Sequence, residues 1–453
     1  MNVVMRFLLA LAALISLAQP ARAFDQSYWV WQRTAPLTPD ESHDLHAANI
    51  TRLYWHVGTI KWDGTAWRWG EHLRLDWPTL RASCPGTTLI PVIRIEAGKD
   101  ATFPPSSRAP LIEILNSLVI RSGGYALEID YESPDRLISE YADFLRQLKD
   151  QGRTWRLTIS ALGHWSRFAG ELAPGADEIT PMFYDLDPRL ERLDPQGLPP
   201  LVEPGIADQL AAWRGCPIPW RAGLPNFSRV TVVGLDGKNR GNLRGWSWDE
   251  IFFAPQVEPN GPTANGQSLF TVTRDFLLGP TPVHAQEHLA VRYPDRGQLQ
   301  QAQAASAAAG AQGIVFFRLA DSADPSGYTV RDLAATPAAP ALQVTQDAEG
   351  RYVLTNRGAA DLMPIAHGYA LELEAATPLW REEIAGDFAQ VTTGDNAAST
   401  GLGAAHLEFW FTHLPAGHSL STGYIGTAAQ AGAAPVHWRI RNLEEENAWH
   451  PLD

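Results

Sequence analysis

Cysteine is nearly missing from this chain: 2 in 453 residues are too few for a disulfide-stapled scaffold or a cysteine-built zinc site. Basic residues are also short, 36 Lys and Arg against 50 Asp and Glu, for a formal charge of −14. That balance disfavours nucleic acid as a partner, since its binding needs a basic surface. No apolar run reaches the ~20 residues of a membrane span. The chain has instead a 45% hydrophobic share and 17 tryptophans, which argue for a large folded core and against disorder.

The amino terminus reads as a secretory leader. Arg6 supplies the positive charge, residues 7–17 form a short apolar run, and Ala21-Arg22-Ala23 has the small-x-small form of a cleavage site. A signal peptide over 1–23 is expected, and losing Arg6 and Arg22 takes the charge from −14 to −16. The expected location is periplasmic or secreted.

Eight short apolar runs, at 28–32, 52–58, 88–95, 125–131, 155–161, 178–184, 220–224 and 313–319, alternate with helical patterns. This predicts an α/β fold, a (β/α)8 TIM-like barrel over 24–335. After the fourth run, Ser133 is the expected helix cap, with Leu137, Ile138, Tyr141, Phe144, Leu145 and Leu148 on one face. Thr38-Pro39 opens an earlier helix. Residues 226–290 break the rhythm and read as an insertion after the seventh strand, where it would overhang the mouth. An Ala/Pro linker at 334–340 then leads into short strand patterns, so 341–453 is expected to be a C-terminal β-sandwich-like domain. Cys84 and Cys216 precede the third and seventh strands. Across a barrel they are further apart than the ~4.4–6.8 Å a disulfide allows, so no bridge is expected.

The richest chemistry lies on the fourth strand. Glu128, Asp130 and Glu132 stand at spacing two, so all three face the barrel interior. Buried carboxylates are costly unless paired or protonated, which predicts at least one raised pKa. Glu132 is last and sits at the mouth, where a protonated acid can serve a leaving group. The competing reading is a set of internal ion pairs with Glu132 merely solvated. Tyr184 and Asp185, ending the sixth strand, offer a phenol and a carboxylate close by.

Glu-x-Asp-x-Glu on the fourth strand with Met182-x-Tyr184-Asp185 on the sixth resembles glycoside hydrolase family 18, the chitinase-like clan, whose strand-four motif is Asp-x-x-Asp-x-Asp-x-Glu. The barrel region also resembles the bacterial domain of unknown function 3142 family. The resemblance implies Glu132 as catalytic acid, Asp130 as its neighbour orienting an acetamido group, Glu128 as the inner carboxylate, and Tyr184 and Asp185 as acetamido-holding groups. It also implies that the substrate's own N-acetyl carbonyl is the nucleophile. Tyr125 stands where that motif has its outermost Asp, Glu128 replaces an Asp, and Phe316-Phe317-Arg318 stands where the clan has a tryptophan.

Further candidates at the mouth are Trp55 and His56 on the second strand, Arg94 and Glu96 on the third, Trp165 with His164 after the fifth, and Phe317 on the eighth. Trp62, Trp67 and Trp69 read as a loop after the second strand and less as core; Trp246 and Trp248 fall in the insertion. Flat rings around a carboxylate mouth suit a glycan. His43 and His46 lack a third ligand, and no phosphate-cradling motif occurs, so neither metal nor cofactor is expected. The leading expectation is an exported glycosidase-like protein acting on a polysaccharide or cell-envelope glycan. A non-catalytic glycan-binding barrel and an envelope scaffold are the alternatives.

Overall fold

The computed structural model describes residues 24–97, 103–184, 192–194, 197–202, 205–263, 266–320, 327–335, 339–365, 367–381, 385–393, 404–427, 436–442 and 450–451. The leader expected over 1–23 and Asp185 lie outside the described residues. Eight strands, β1 (Asp25–Val30), β2 (Arg52–Trp62), β3 (Thr88–Glu96), β4 (Ala126–Asp130), β5 (Arg156–Leu162), β6 (Glu178–Met182), β7 (Ala222–Pro225) and β8 (Gly313–Phe317), pair in parallel in chain order. The β8–β1 pairing closes the barrel. Each strand lies within a few residues of a run read from the sequence. Parallel strands covered on both faces need near-continuous apolar stretches, which is why those runs were visible.

Outward-facing side chains such as Leu53, Trp55, Ile93, Ile129 and Ile159 pack under the helices in one large core. Thr38 caps the helix Pro39–Ala47 in a reciprocal box with Glu41, as its sequence predicts. The segment after β4 differs from expectation: a 3-10 turn, Asp135–Leu137, precedes the helix Ile138–Asp150, and Ser133 does not cap it. Its apolar stripe, Ile138, Tyr141, Phe144, Leu145 and Leu148, is buried as read.

A polar network closes the barrel at the amino ends of its strands. Arg221 donates to Glu178 at 3.0 Å and to Asp25, and the Tyr54 hydroxyl donates to Glu178 at 3.1 Å. Arg52 reaches the other Glu178 oxygen at 3.4 Å. Charges that satisfy one another in this way hold the floor of the barrel.

β2 is longer than its sequence run and folds back antiparallel as Trp67–His72, so the expected Trp62–Trp69 loop is a hairpin. Trp67 is buried against Trp62 and Phe103, with centroids at 5.2 and 5.6 Å, and belongs to the core. A bulge between His56 and Gly58 shifts the β2–β3 register by one. Gly58 has φ 137°, and a Cβ there would meet the Glu71 carbonyl at 2.3 Å, so no other residue fits.

The insertion forms a five-stranded antiparallel sheet in the order Asn239–Asn242, Arg229–Val233, His288–Arg292, Ser268–Val272, Val257–Pro262. It has its own core, in which Trp246 and Trp248 pack edge to face at 4.9 Å. The C-terminal strands are also antiparallel and enclose a separate core around Leu354, Leu371, Leu373, Phe409 and Ile425. Ser419–Thr427 pairs first with Arg351–Asn356 and then with the end of Tyr369–Arg381, joining two sheets. Asp361 fastens this region to the barrel side: it accepts from the Thr329 amide at 2.7 Å, the Thr329 hydroxyl at 2.9 Å and the Ala416 amide at 2.7 Å. On a sheet face here Glu372, His406 and Glu408 gather, but Arg439 and Arg441 reach Glu372 at 2.6 Å each. The arginines supply the positive charge a metal would bring, so the donor set fits an ion-pair network.

Cys84 and Cys216 are both free thiols. No helix among the described residues is long and apolar enough to cross a membrane.

Candidate active site

Strand alternation turns Glu128 and Asp130 into the barrel and leaves Glu132 beyond the strand end, exposed at the carboxyl-terminal mouth. Burial is graded along the file. Glu128 is fully buried; one oxygen, Oε1, accepts from the Trp29 indole at 2.7 Å and from the Ser160 hydroxyl at 2.8 Å. Desolvation pushes its pKa up to about 8 against those two hydrogen bonds. Asp130 is raised to about 7, first by desolvation and then by the Glu132 charge, with Arg94 opposing. The raised pKa expected from the file is present at two positions.

The space Trp29 needs comes from a glycine. A Cβ at Gly223 on β7 would lie 3.0 Å from the Trp29 ring, so its absence lets the indole cross the interior from β1 toward β4. Tyr54, Val92, Ala126, Met182 and Val315 fill the rest of that inner layer.

Above it the mouth has two unlike walls. On the β2–β4 side stand Lys61, Arg94, Glu96, Asp130 and Glu132. Lys61 pairs with Glu96 at 2.8 Å, Arg94 lies 3.7 Å from the same carboxylate, and Arg94 is the register partner of Asp130. On the other side β1, β6, β7 and β8 deliver Trp31, Tyr184, Phe227 and Phe317. Phe317 stacks on Tyr184 at 5.5 Å, meets Trp31 edge-on at 5.4 Å, and touches Phe227 at 5.9 Å. His56 is buried and stacked on Trp31 at 4.0 Å, and burial holds its pKa down at about 4. It is therefore a neutral ring at ordinary pH.

Asn226 builds the aromatic wall's back. Its backbone exchanges hydrogen bonds with Phe317 O and the Arg318 amide, and its side-chain amide donates to Arg318 O at 2.9 Å and Tyr328 O at 3.0 Å. Its Oδ1 accepts from the Tyr328 amide at 2.9 Å. This buried side chain thus ties the end of β8, at Arg318, to Tyr328.

Of the expected site residues, Glu128, Asp130, Glu132, His56, Arg94, Glu96, Tyr184 and Phe317 come together at the inner layer and mouth. Two do not. Trp55 lies one residue off the inward parity of Tyr54 and His56, so it is fully buried on the helix side and donates to Arg33 O at 2.8 Å. Trp165 is buried in the 3-10 turn Gly163–Phe168 and donates to Asp135 at 3.2 Å, where His164 also binds at 2.8 Å. Sequence reasoning counted Trp29 and Trp31 only within a set of amino-terminal tryptophans favouring a carbohydrate, and missed Ser160, Phe227 and Asn226 as site components. Inward parity was a usable signal for Trp29, Trp31 and Ser160; nothing local marks Asn226.

No family model and no curated protein matches the chain, so the expected likeness to the domain of unknown function 3142 family is not confirmed. Solved structures do resemble it. A glycoside hydrolase family 18 N-acetylglucosaminidase from Paenibacillus barengoltzii is 14% identical, covering 65% of this chain and 95% of its own, with TM-score 0.43. The spore cortex-lytic enzyme SleL of Bacillus megaterium is 14% identical, covering 66% and 72%, with TM-score 0.45. A family 18 chitinase from Cycas revoluta, solved with allosamidin, is 16% identical, covering 65% and 94%, with TM-score 0.42.

Proposed function

We propose that this is an exported glycoside-hydrolase-like protein acting on a polysaccharide or cell-envelope glycan, with Glu132 as general acid/base. The supporting observation is the carboxylate file itself, which rises from buried Glu128 through Asp130, raised to about 7, to exposed Glu132, opposite an aromatic wall. Glu132 gives its proton to the glycosidic oxygen as the bond to the anomeric carbon breaks. It then takes a proton from the water that completes hydrolysis. Asp130 holds a shareable proton beside it and exchanges charge with it, since two adjacent carboxylates do not both ionise freely. Where the sugar carries an N-acetyl group, its carbonyl oxygen supplies the nucleophile, and Asp130, Tyr184 and Asp185 orient it. Trp31 and Phe317 offer apolar faces to the C–H side of the ring, and Arg94 and Glu96 hydrogen-bond its hydroxyls.

Replacing Glu132→Gln tests the assignment. Turnover on an active substrate should fall at least ~100-fold while glycan binding persists. Hydrolysis that survives the change sinks the role of Glu132. Binding without turnover by the wild-type chain across a broad glycan panel marks a non-catalytic glycan-binding barrel instead.

A further inference from the structure

Two aromatic side chains of the C-terminal region stay in water although each lies on a strand with buried neighbours. Trp380 is 44% exposed and Tyr424 50%. Trp380 pairs directly with Gly426 across the strands Tyr369–Arg381 and Ser419–Thr427. Directly opposed residues share a sheet face, and Tyr424, two residues before Gly426, shares it as well.

Glycines make the seat. A Cβ on Gly426 would come within 3.2 Å of the Tyr424 ring, and one on Gly350 within 3.0 Å. The ring rests against both positions, in space any other residue would occupy. Neither ring stacks on another aromatic among the described residues, so both keep a face for a ligand.

Arg351, opposite Tyr424 in register, is bound by Asp347 at 2.7 Å and also by Glu349, so its charge is met locally. A seat of this kind, on a chain of charge −14, favours a neutral ligand over a polyanion. The two rings are small beside a protein interface. Aromatic side chains bury ~150–250 Å² each when fully covered, so two half-exposed rings offer on the order of 200 Å², against ~800 Å² per partner in a stable protein interface. That size fits the C–H faces of a few sugar units.

We infer that Trp380 and Tyr424 form a second glycan-binding surface, separate from the barrel mouth, that holds a neutral polysaccharide chain. The choice of a glycan rests on the function proposed above for the barrel. The surface would keep the protein on an insoluble polymer while the mouth works on a free segment.

Retention of the full chain on insoluble chitin and on cellulose tests this. The wild-type protein should be retained on at least one; Trp380→Ala with Tyr424→Ala should weaken retention ~10-fold or more, and Trp380→Phe with Tyr424→Phe should restore most of it. Turnover of soluble chito-oligosaccharides, where present, should be the same in all three. Retention of the double alanine variant at wild-type strength, or no retention of the wild type on either polymer, overturns the surface. Retention needs no catalysis, so an inert barrel leaves this result readable, and an active barrel with an unaffected double variant removes the surface alone.

Discussion

Trp29 on β1 donates its indole N–H to Glu128 on β4 at 2.7 Å, spanning the barrel interior through the gap left by Gly223. That bond supports the charged form of a carboxyl which burial otherwise keeps protonated. Trp29→Phe should therefore raise the Glu128 pKa further and cost about 1–3 kcal/mol, more at pH 9 than at pH 6. Urea unfolding at the two pH values measures it; an equal cost at both would mean that the indole acts only as packing.

The raised carboxyls also set the direction of pH dependence. Glu128 and Asp130 bind protons more tightly folded, at about 8 and about 7, than in an unfolded chain at ~4. Their stabilisation is complete below pH ~4 and is lost as pH rises through 7 to 8. The unfolding midpoint should fall between pH 5 and pH 8. Glu128→Gln, which has no proton to lose, should flatten that fall by up to about 1.4 kcal/mol per pH unit. Parallel profiles for variant and wild type would contradict the raised pKa.

Trp31 and Phe317 form the apolar side of the mouth. Trp31→Ala should raise the dissociation constant for a bound oligosaccharide ~10-fold, about 1.4 kcal/mol, by removing one stacking face. Calorimetric titration checks it, and unchanged affinity would move the sugar away from this wall.

Asn226 is a positioning residue for that wall. Asn226→Ala strands the Arg318 and Tyr328 carbonyls and the Tyr328 amide in a buried place, at about 2–4 kcal/mol. Beyond lower stability, it should raise KM more than it lowers kcat, because Phe317 shifts while Glu132 does not. A lower apparent kcat with KM unchanged would assign Asn226 to the fold alone.

The barrel was legible because its strands are doubly covered, so β3 writes its burial as the apolar stretch Leu89-Ile90-Pro91-Val92-Ile93. Glu128, Asp130 and Glu132 were legible because three carboxylates at spacing two fall on one side of a strand whose neighbours are apolar. Trp55 misled: an aromatic beside His56 looks like a mouth residue, and only parity separates the two. The Trp62–Trp69 hairpin was overlooked although Asp63-Gly64 is a hairpin pair, because the strands close on a four-residue loop, Asp63-Gly64-Thr65-Ala66, and not on that pair alone. The Trp29–Glu128 bond joins residues 99 apart in sequence, and Asn226 and Tyr328 are 102 apart. Local pattern carries no trace of such partners.

The bulge at Gly58 places Val57 and Gly58 together on the outer side, after which Thr59 and Lys61 share the facing of Arg94 and Glu96. One residue thus acts as a phase shifter for the rest of the strand. Were the same residues paired without the bulge, Lys61 would turn away and Ile60 would come round to the charged wall; removing the extra residue itself restores plain alternation with Thr59 and Lys61 still facing inward. In lineage terms, the bulge lets this strand carry one codon more than its neighbour's register requires while Thr59 and Lys61 keep their places at the mouth.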